Sequence, residues 1–265
     1  MDGKLKKMEA ILASYPGLLV AFSGGVDSTL LLAAAREVLG DRVEAATSMS
    51  PVHSRCESEN AEKLAAALGV VHHWIFTDEM ALPAFLTNPE NRCYICKQHL
   101  FSRMRELAAG RGIETVAHGA NADDLNDYRP GFLAAREAGI VAPLVEAGLK
   151  KAEIRELARK MGLPNWNRPA DACLATRVPY GVLLSPALLQ RIEQAESVLA
   201  DKGIDRCRVR VHGNIARIEV APEQFDRVMS AEVRLPLIAA LRKLGFDHVS
   251  LDLEGYRMGS MNRSL

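Results

Sequence analysis

The chain has 265 residues, enough for one large α/β domain or a medium domain joined to a smaller one. Apolar residues make up 48% and charged residues 25%, the balance of a globular protein with a buried core. Lys+Arg and Asp+Glu both count 33, so no global charge draws the chain toward nucleic acid or an anionic membrane, and no apolar run reaches membrane-spanning length.

In chain order, Leu18 to Phe22 is an apolar run ending in a glycine turn and predicts a buried parallel strand. Asp27 to Leu39 has helical spacing with Gly40 placed to stop it, and Val43 to Thr47 predicts a second strand. Helix Ser58 to Leu68, strand Val70 to Phe76, helix Cys96 to Ala109, strand Thr115 to His118 and helix Lys151 to Met161 follow. This alternation predicts an α/β fold with a doubly wound, mostly parallel sheet, which binds ligands beyond the carboxyl ends of its strands. Ser48, in the loop after the second strand, and Gly119, after the fourth, fall there.

The pattern changes after about Pro186. A helix (Ala187 to Ala200), a hairpin (Arg206 to Val211 and Ile215 to Val220), helical segments Gln224 to Met229 and Leu235 to Leu244, and a strand Val249 to Leu253 predict a small α+β domain. Domains are expected over 1–184 and 185–265.

The strongest local signal is Ser23-Gly24-Gly25-Val26-Asp27-Ser28 between strand and helix. Two glycines let backbone approach phosphate, and the helix start favours an anion. The two serines add hydroxyl donors, and Asp27 is suited to orient the loop or share a magnesium ion. No lysine follows as in phosphoryl-transfer loops. The segment resembles the PP-loop of ATP pyrophosphatases, which holds the β,γ-pyrophosphate as a leaving group. NAD and GMP synthetases, asparagine synthetase and tRNA thiolases share that loop.

No secretory leader is visible, so a cytoplasmic protein with reduced cysteines is expected. Cys93-x-x-Cys96 with distant Cys173 supplies three thiolates, one short of a closed tetrahedral site. A redox disulfide, or zinc completed by His99 or Cys173, are the alternatives. Cys207 in a strand and Cys56 read as inert thiols, and His53, His72 and His73 as core or surface residues.

Three further segments narrow the class: Asn88 to Lys97, His118 to Gly131, and Pro169 to Gly181 with its Cys-Leu-Ala-Thr-Arg-Val-Pro-Tyr-Gly run. With the loop, they resemble the LarE family of ATP-dependent sulfur-insertion enzymes over nearly the whole chain. That resemblance implies adenylation of a carboxylate on a pyridinium mononucleotide, followed by displacement of AMP by sulfur. Members with a single cysteine at the position of Cys173 donate its sulfur and are left with dehydroalanine. Members with three cysteines work through a [4Fe-4S] cluster, so Cys93, Cys96 and Cys173 are expected to hold one, fed by sulfide or another sulfur donor. The resemblance also favours Asp123 and Asp124 in ATP or Mg2+ handling, and a homo-oligomer.

Lys97 and Arg129 are candidates for nucleotide phosphate contact. Arg177 is a cation beside Cys173. Arg208 and Arg210 repeat every second residue of one strand and so share a face, suiting them to the substrate phosphate. Glu196, Glu219 and Asp226 are weaker divalent-ion candidates. A tRNA thiolase is the principal rival, disfavoured by the neutral charge.

Overall fold

The computed structural model describes residues 2–126, 130–168, 172–204 and 206–256. In chain order, α1 (Asp2–Ala13), β1 (Leu18–Ala21), α2 (Val26–Leu39), β2 (Val43–Met49), α3 (Arg55–Ala67) and β3 (Val71–Phe76) come first. The short α4 (Pro83–Leu86), α5 (Arg92–Gly110), β4 (Thr115–His118), α6 (Pro130–Glu137), α7 (Pro143–Glu146) and α8 (Lys151–Lys160) follow. The remainder holds α9 (Pro186–Ala200), β5 (Cys207–His212), β6 (Ile215–Val220), α10 (Phe225–Met229), α11 (Ala231–Lys243) and β7 (His248–Leu251). By packing, Met1–Glu79 and Glu90–Asp171 make one compact unit, and Met80–Pro89 and Ala172–Leu265 a second.

In the first unit, alternation along β1 organises both faces of the sheet. Leu18 and Val20 enter a core built from α1, α2, α3 and α8, including Met8, Leu12, Leu31, Leu64, Ile154 and Leu157. Leu19 enters a second core with Phe101 and Met104 of α5, Val116 of β4 and Ala134 and Ala135 of α6. Both faces are covered, which is why the strand reads as continuous apolar sequence. The sheet is the expected parallel one, in the order β3-β2-β1-β4. Connections through α2 and α3 carry the chain to one side of β1, and α5 on the opposite face returns it to the other. The reversal of strand order therefore lies between β1 and β4, the switch point where open α/β sheets bind ligands.

Several elements differ from expectation. The residues before Pro16 form α1, whose Met8 and Leu12 are fully buried. Helix α5 begins at Arg92 rather than Cys96; Asn91 makes no side-chain capping bond, so nothing local marks the start. Helix α11 begins at Ala231 and contains Pro236, which lacks the N–H that would donate to the preceding turn.

In the second unit, β5 and β6 form the expected hairpin, pairing Cys207 with Val220 through His212 with Ile215. The turn between them needs Gly213, at φ 60°. β7 joins β6 in parallel, giving a mixed three-stranded sheet. Ser185 caps α9 by accepting from the Leu188 N–H, and Leu189, Ile192, Ala195 and Leu199 bury one face of that helix. Residues 172–184 pack with this unit. Among the described residues no helix is long and apolar enough to cross a membrane.

Candidate active site

The phosphate loop follows β1 directly. Gly24 sits at φ 71°, and a Cβ there would stand 3.1 Å from the Ala61 Cα of α3, so both backbone conformation and space demand glycine. Gly25 begins α2 without a side-chain cap, which leaves first-turn amides of that helix open to an anion. The loop is braced internally: the Ser28 hydroxyl donates to the Gly25 carbonyl at 3.1 Å and lies 3.2 Å from the Ser23 hydroxyl. Thr29 Oγ1 donates to the same carbonyl at 2.9 Å. The chain leaving β4 presses on the start of α2, where a Cβ on Gly119 would fall 2.8 Å from the Ser28 nitrogen.

Two residues that carry no local sequence signal complete the loop. Asn165 is buried and its Nδ2 donates to the Gly24 carbonyl and to Thr29 Oγ1, both at 2.8 Å. Lys151, the first residue of α8, donates from Nζ to Asp27 Oδ2 at 2.6 Å. The other oxygen of Asp27, Oδ1, is buried without a hydrogen-bond partner. Burial raises the Asp27 pKa, Lys151 opposes that rise, and nearby Asp124 adds to it.

Asp123 and Asp124 shape the loop after β4. Asp124 is buried and accepts from the Asn121 N–H at 2.9 Å, while Asp123 Oδ2 accepts the Lys151 N–H at 2.8 Å. Ser48 bonds Thr77 hydroxyl to hydroxyl at 2.7 Å, tying the ends of β2 and β3. Lys97 lies over the Phe101 ring with its stem against Gly131, and Arg129 lies outside the described residues.

Because α5 starts early, Cys93 and Cys96 occupy its first two turns, three residues apart and thus on neighbouring positions of one face. Cys93 is exposed and Cys96 half-buried. Cys96 Sγ donates to Glu79 Oε1 at 3.6 Å; Glu79 is fully buried and also accepts from the Ser50 hydroxyl. His53 is held neutral, its pKa lowered to about 4 by burial and by Lys97 against the opposing pull of Glu79. Cys56 is exposed and Cys207 buried.

Cys173, half-buried, heads the tight turn Leu174–Arg177 in the second unit. Arg177 fastens that turn: Nη1 donates to the carbonyls of Ala172 and Cys173, while Nε and Nη2 form a two-pronged pair with Glu196 at 2.9 and 2.8 Å. Arg210 donates to the Thr176 carbonyl and to Glu219 Oε2, both at 2.9 Å. Arg217 takes the second Glu219 oxygen at 3.1 Å. Arg208 donates to the Cys207 carbonyl and lies over the Tyr256 ring. Arg208 and Arg210 are thus buried among protein partners, and Glu196 and Glu219 are bound by arginines; Asp226 is exposed on α10. Among the described residues no three His, Cys, Asp or Glu side chains gather closely enough to hold a metal ion.

A parallel α/β sheet whose switch point carries Ser-Gly-Gly-Val-Asp-Ser at a helix start defines a PP-loop ATP pyrophosphatase, and residues 12–125 match the asparagine synthase family model. The pyridinium-3,5-bisthiocarboxylic acid mononucleotide synthase of Lactiplantibacillus plantarum is 36% identical over 263 residues, 99% of this chain and 95% of that protein. An uncharacterized Synechocystis protein is 41% identical over 100% of this chain and 99% of its own length. A more distant relative, a glutamine-hydrolyzing GMP synthase chain of Pyrococcus horikoshii, is 26% identical over 72% of this chain and 66% of its own. The chain belongs to the LarE family of ATP-dependent sulfurtransferases.

Proposed function

We propose that this enzyme activates a carboxylate of a pyridinium dicarboxylate mononucleotide with ATP and converts it to a thiocarboxylate. The substrate carboxylate oxygen attacks the α-phosphorus of ATP; the bond to the β-phosphate oxygen breaks and pyrophosphate leaves. A sulfur nucleophile then adds to the acyl carbon and expels AMP. The carrying observation is the phosphate loop, whose open amides at the head of α2 suit it to hold the departing pyrophosphate. Mg2+ is the natural partner of the polyphosphate, with Asp27 and Asp124 as candidate ligands. The near-full-length likeness to a thiocarboxylate mononucleotide synthase supports the substrate class.

For the sulfur, we assign Cys93, Cys96 and Cys173 as ligands of a [4Fe-4S] cluster. The donor set suits it in number and kind: three cysteine thiols, two of them one helical turn apart. Held by these three cysteines, such a cluster would supply an iron with an open coordination position, the chemistry suited to accepting sulfide-level sulfur. The chain's own contribution is positional, with Glu79 fixing the Cys96 thiol and Arg177 fixing the backbone of Cys173.

A second reading is favoured by the half-buried thiol of Cys173 on its clamped turn. Its sulfur attacks the acyl carbon, AMP leaves, and loss of the Cys173 Cα proton with cleavage of Cβ–S releases the thiocarboxylate and leaves dehydroalanine. Anaerobic iron and sulfide analysis of wild type and Cys93→Ala separates the two. Roughly four irons per chain, lost in the variant, with several product molecules per chain, support the cluster. No iron, one turnover and loss of hydrogen sulfide mass at Cys173 establish the sacrificial route. Sulfur appearing in tRNA instead of a small molecule would reject the substrate class.

A further inference from the structure

Asn88 closes the short helix α4, its N–H donating to the Phe85 carbonyl at 2.9 Å. It is fully buried and, among the described residues, the one non-glycine at positive φ, 51°. Asparagine tolerates this left-handed conformation better than most residues, but glycine adopts it without strain. The backbone alone therefore gives no reason for a side chain here, and the contacts of that side chain do.

Its amide Nδ2 donates to the carbonyls of Val178 and Pro179 at 3.2 and 2.8 Å. The Asn88 carbonyl accepts the Gly181 N–H at 3.0 Å, and the Leu86 carbonyl accepts the Leu184 N–H at 2.9 Å. The chain leaving Cys173 is thereby stitched to residues 86–88 directly after the turn Leu174–Arg177. Arg177 holds that turn to α9, and Asn88 holds the segment that follows it. In the other direction Asn88 leads through residues 89–92 into Cys93, on the first turn of α5. Cys173 lies five residues before Val178 and Cys93 five residues after Asn88. Each α-carbon thus stands within about 18 Å of its own end of this anchor.

We propose that Asn88 is a positioning residue for the sulfur-transfer half of the reaction. Its amide fixes the chain that leaves Cys173 to the chain that enters Cys93, so that both cysteine-bearing segments depart from one point. The proposal deepens the sulfur-transfer reading and rests on its use of these cysteines.

The test compares wild type, Asn88→Gly and Asn88→Asp as full-length chains, each checked for folding by circular dichroism. Glycine keeps the φ and removes the amide; aspartate keeps the shape and sets a carboxylate against two carbonyl oxygens. Spin labels on Cys93 and Cys173 in a Cys56→Ser, Cys96→Ser background report the spacing of the two segments. A narrow distance distribution in wild type that broadens in both variants is the expected result. In unlabelled chains, sulfur transfer per folded molecule should fall about tenfold while ATP–pyrophosphate exchange stays within about twofold. An unchanged distribution, undiminished sulfur transfer, or equal losses in both half-reactions overturns the proposal and leaves Asn88 a structural residue. Wild type that exchanges pyrophosphate but transfers no sulfur refutes the cysteine assignment itself, a result no variant effect imitates, and this proposal falls with it.

Discussion

The phosphate loop and the arginine–glutamate network of the second unit solve the same problem, holding anions in a protein, in opposite ways. The loop is six consecutive residues whose groups are braced by short-range bonds such as Ser28 to Gly25, with helix-start amides left open. The network is built from residues 177, 196, 208, 210, 217 and 219, whose cations already meet carboxylates or carbonyls inside the unit. Contiguity makes the first a preformed receptor. Dispersion makes the second a mutually neutralised cluster, in which each arginine is held by protein partners.

That contrast is broken most directly at Arg177. Only 3% of its side chain is exposed, and Glu196 receives it through both oxygens. Arg177→Met is expected to cost about 3 kcal/mol of stability, because it removes the cation paired with the largely buried Glu196 and a donor to the carbonyls of Ala172 and Cys173. Urea unfolding measures this. Arg177→Lys should recover only part of the loss, since an ammonium cannot reproduce the two-pronged pair. A loss below about 0.5 kcal/mol would place this network among weak surface pairs.

The loop should respond to crowding more than to charge. Gly119→Ala puts a methyl 2.8 Å from the Ser28 nitrogen and 2.9 Å from its Cα, both backbone atoms that cannot rotate away. The expected cost is about 2 kcal/mol in stability. The expected loss in ATP–pyrophosphate exchange is at least about a hundredfold, because displacing the start of α2 moves the amides that receive phosphate. A variant that exchanges normally would show that this close approach does not position the helix.

These two regions also differ in how much the sequence reveals. The glycine turn, the parallel strands and the β5–β6 hairpin each announce themselves within a few residues, through apolar runs, alternation and turn chemistry. Lys151 and Asn165 do not: they reach Asp27 and Gly24 across 124 and 141 residues, and no local periodicity encodes such a contact. Glu79 is similarly silent, an acid whose complete burial depends on Ser50 and Cys96. The same-face placement of Arg208 and Arg210 follows from strand periodicity, but their burial follows from partners that periodicity does not name.

A smaller effect separates the two regions by pH. His118, at the end of β4 between Phe101 and Phe132, has its pKa lowered from 6.5 to about 4, by burial first and then by Lys97. The unfolded chain therefore takes up its proton first as pH falls. Stability from this residue is complete above about pH 6.5 and declines as pH drops toward 4, by about 2 kcal/mol between 6.5 and 5. His118→Gln should flatten that part of the stability–pH curve; an unchanged slope would contradict the buried neutral state.

The finest discrimination comes from Asn165, because it tests whether the loop is as self-contained as its contiguity suggests. Its amide nitrogen is shared by the Gly24 carbonyl and Thr29 Oγ1, while Thr29 also donates to Gly25. Gly24 has no side chain with which to fix its own carbonyl, so its orientation depends on this distant donor. Asn165→Ala should cost about 1 kcal/mol and raise the KM for ATP several-fold, with kcat for pyrophosphate exchange less affected. If KM and kcat stay at wild-type values while stability falls, Asn165 merely fills space and the six residues hold their shape alone. If KM rises as expected, the loop's conformation is contiguous in sequence but completed from α8's far side, by a residue eight positions before Cys173.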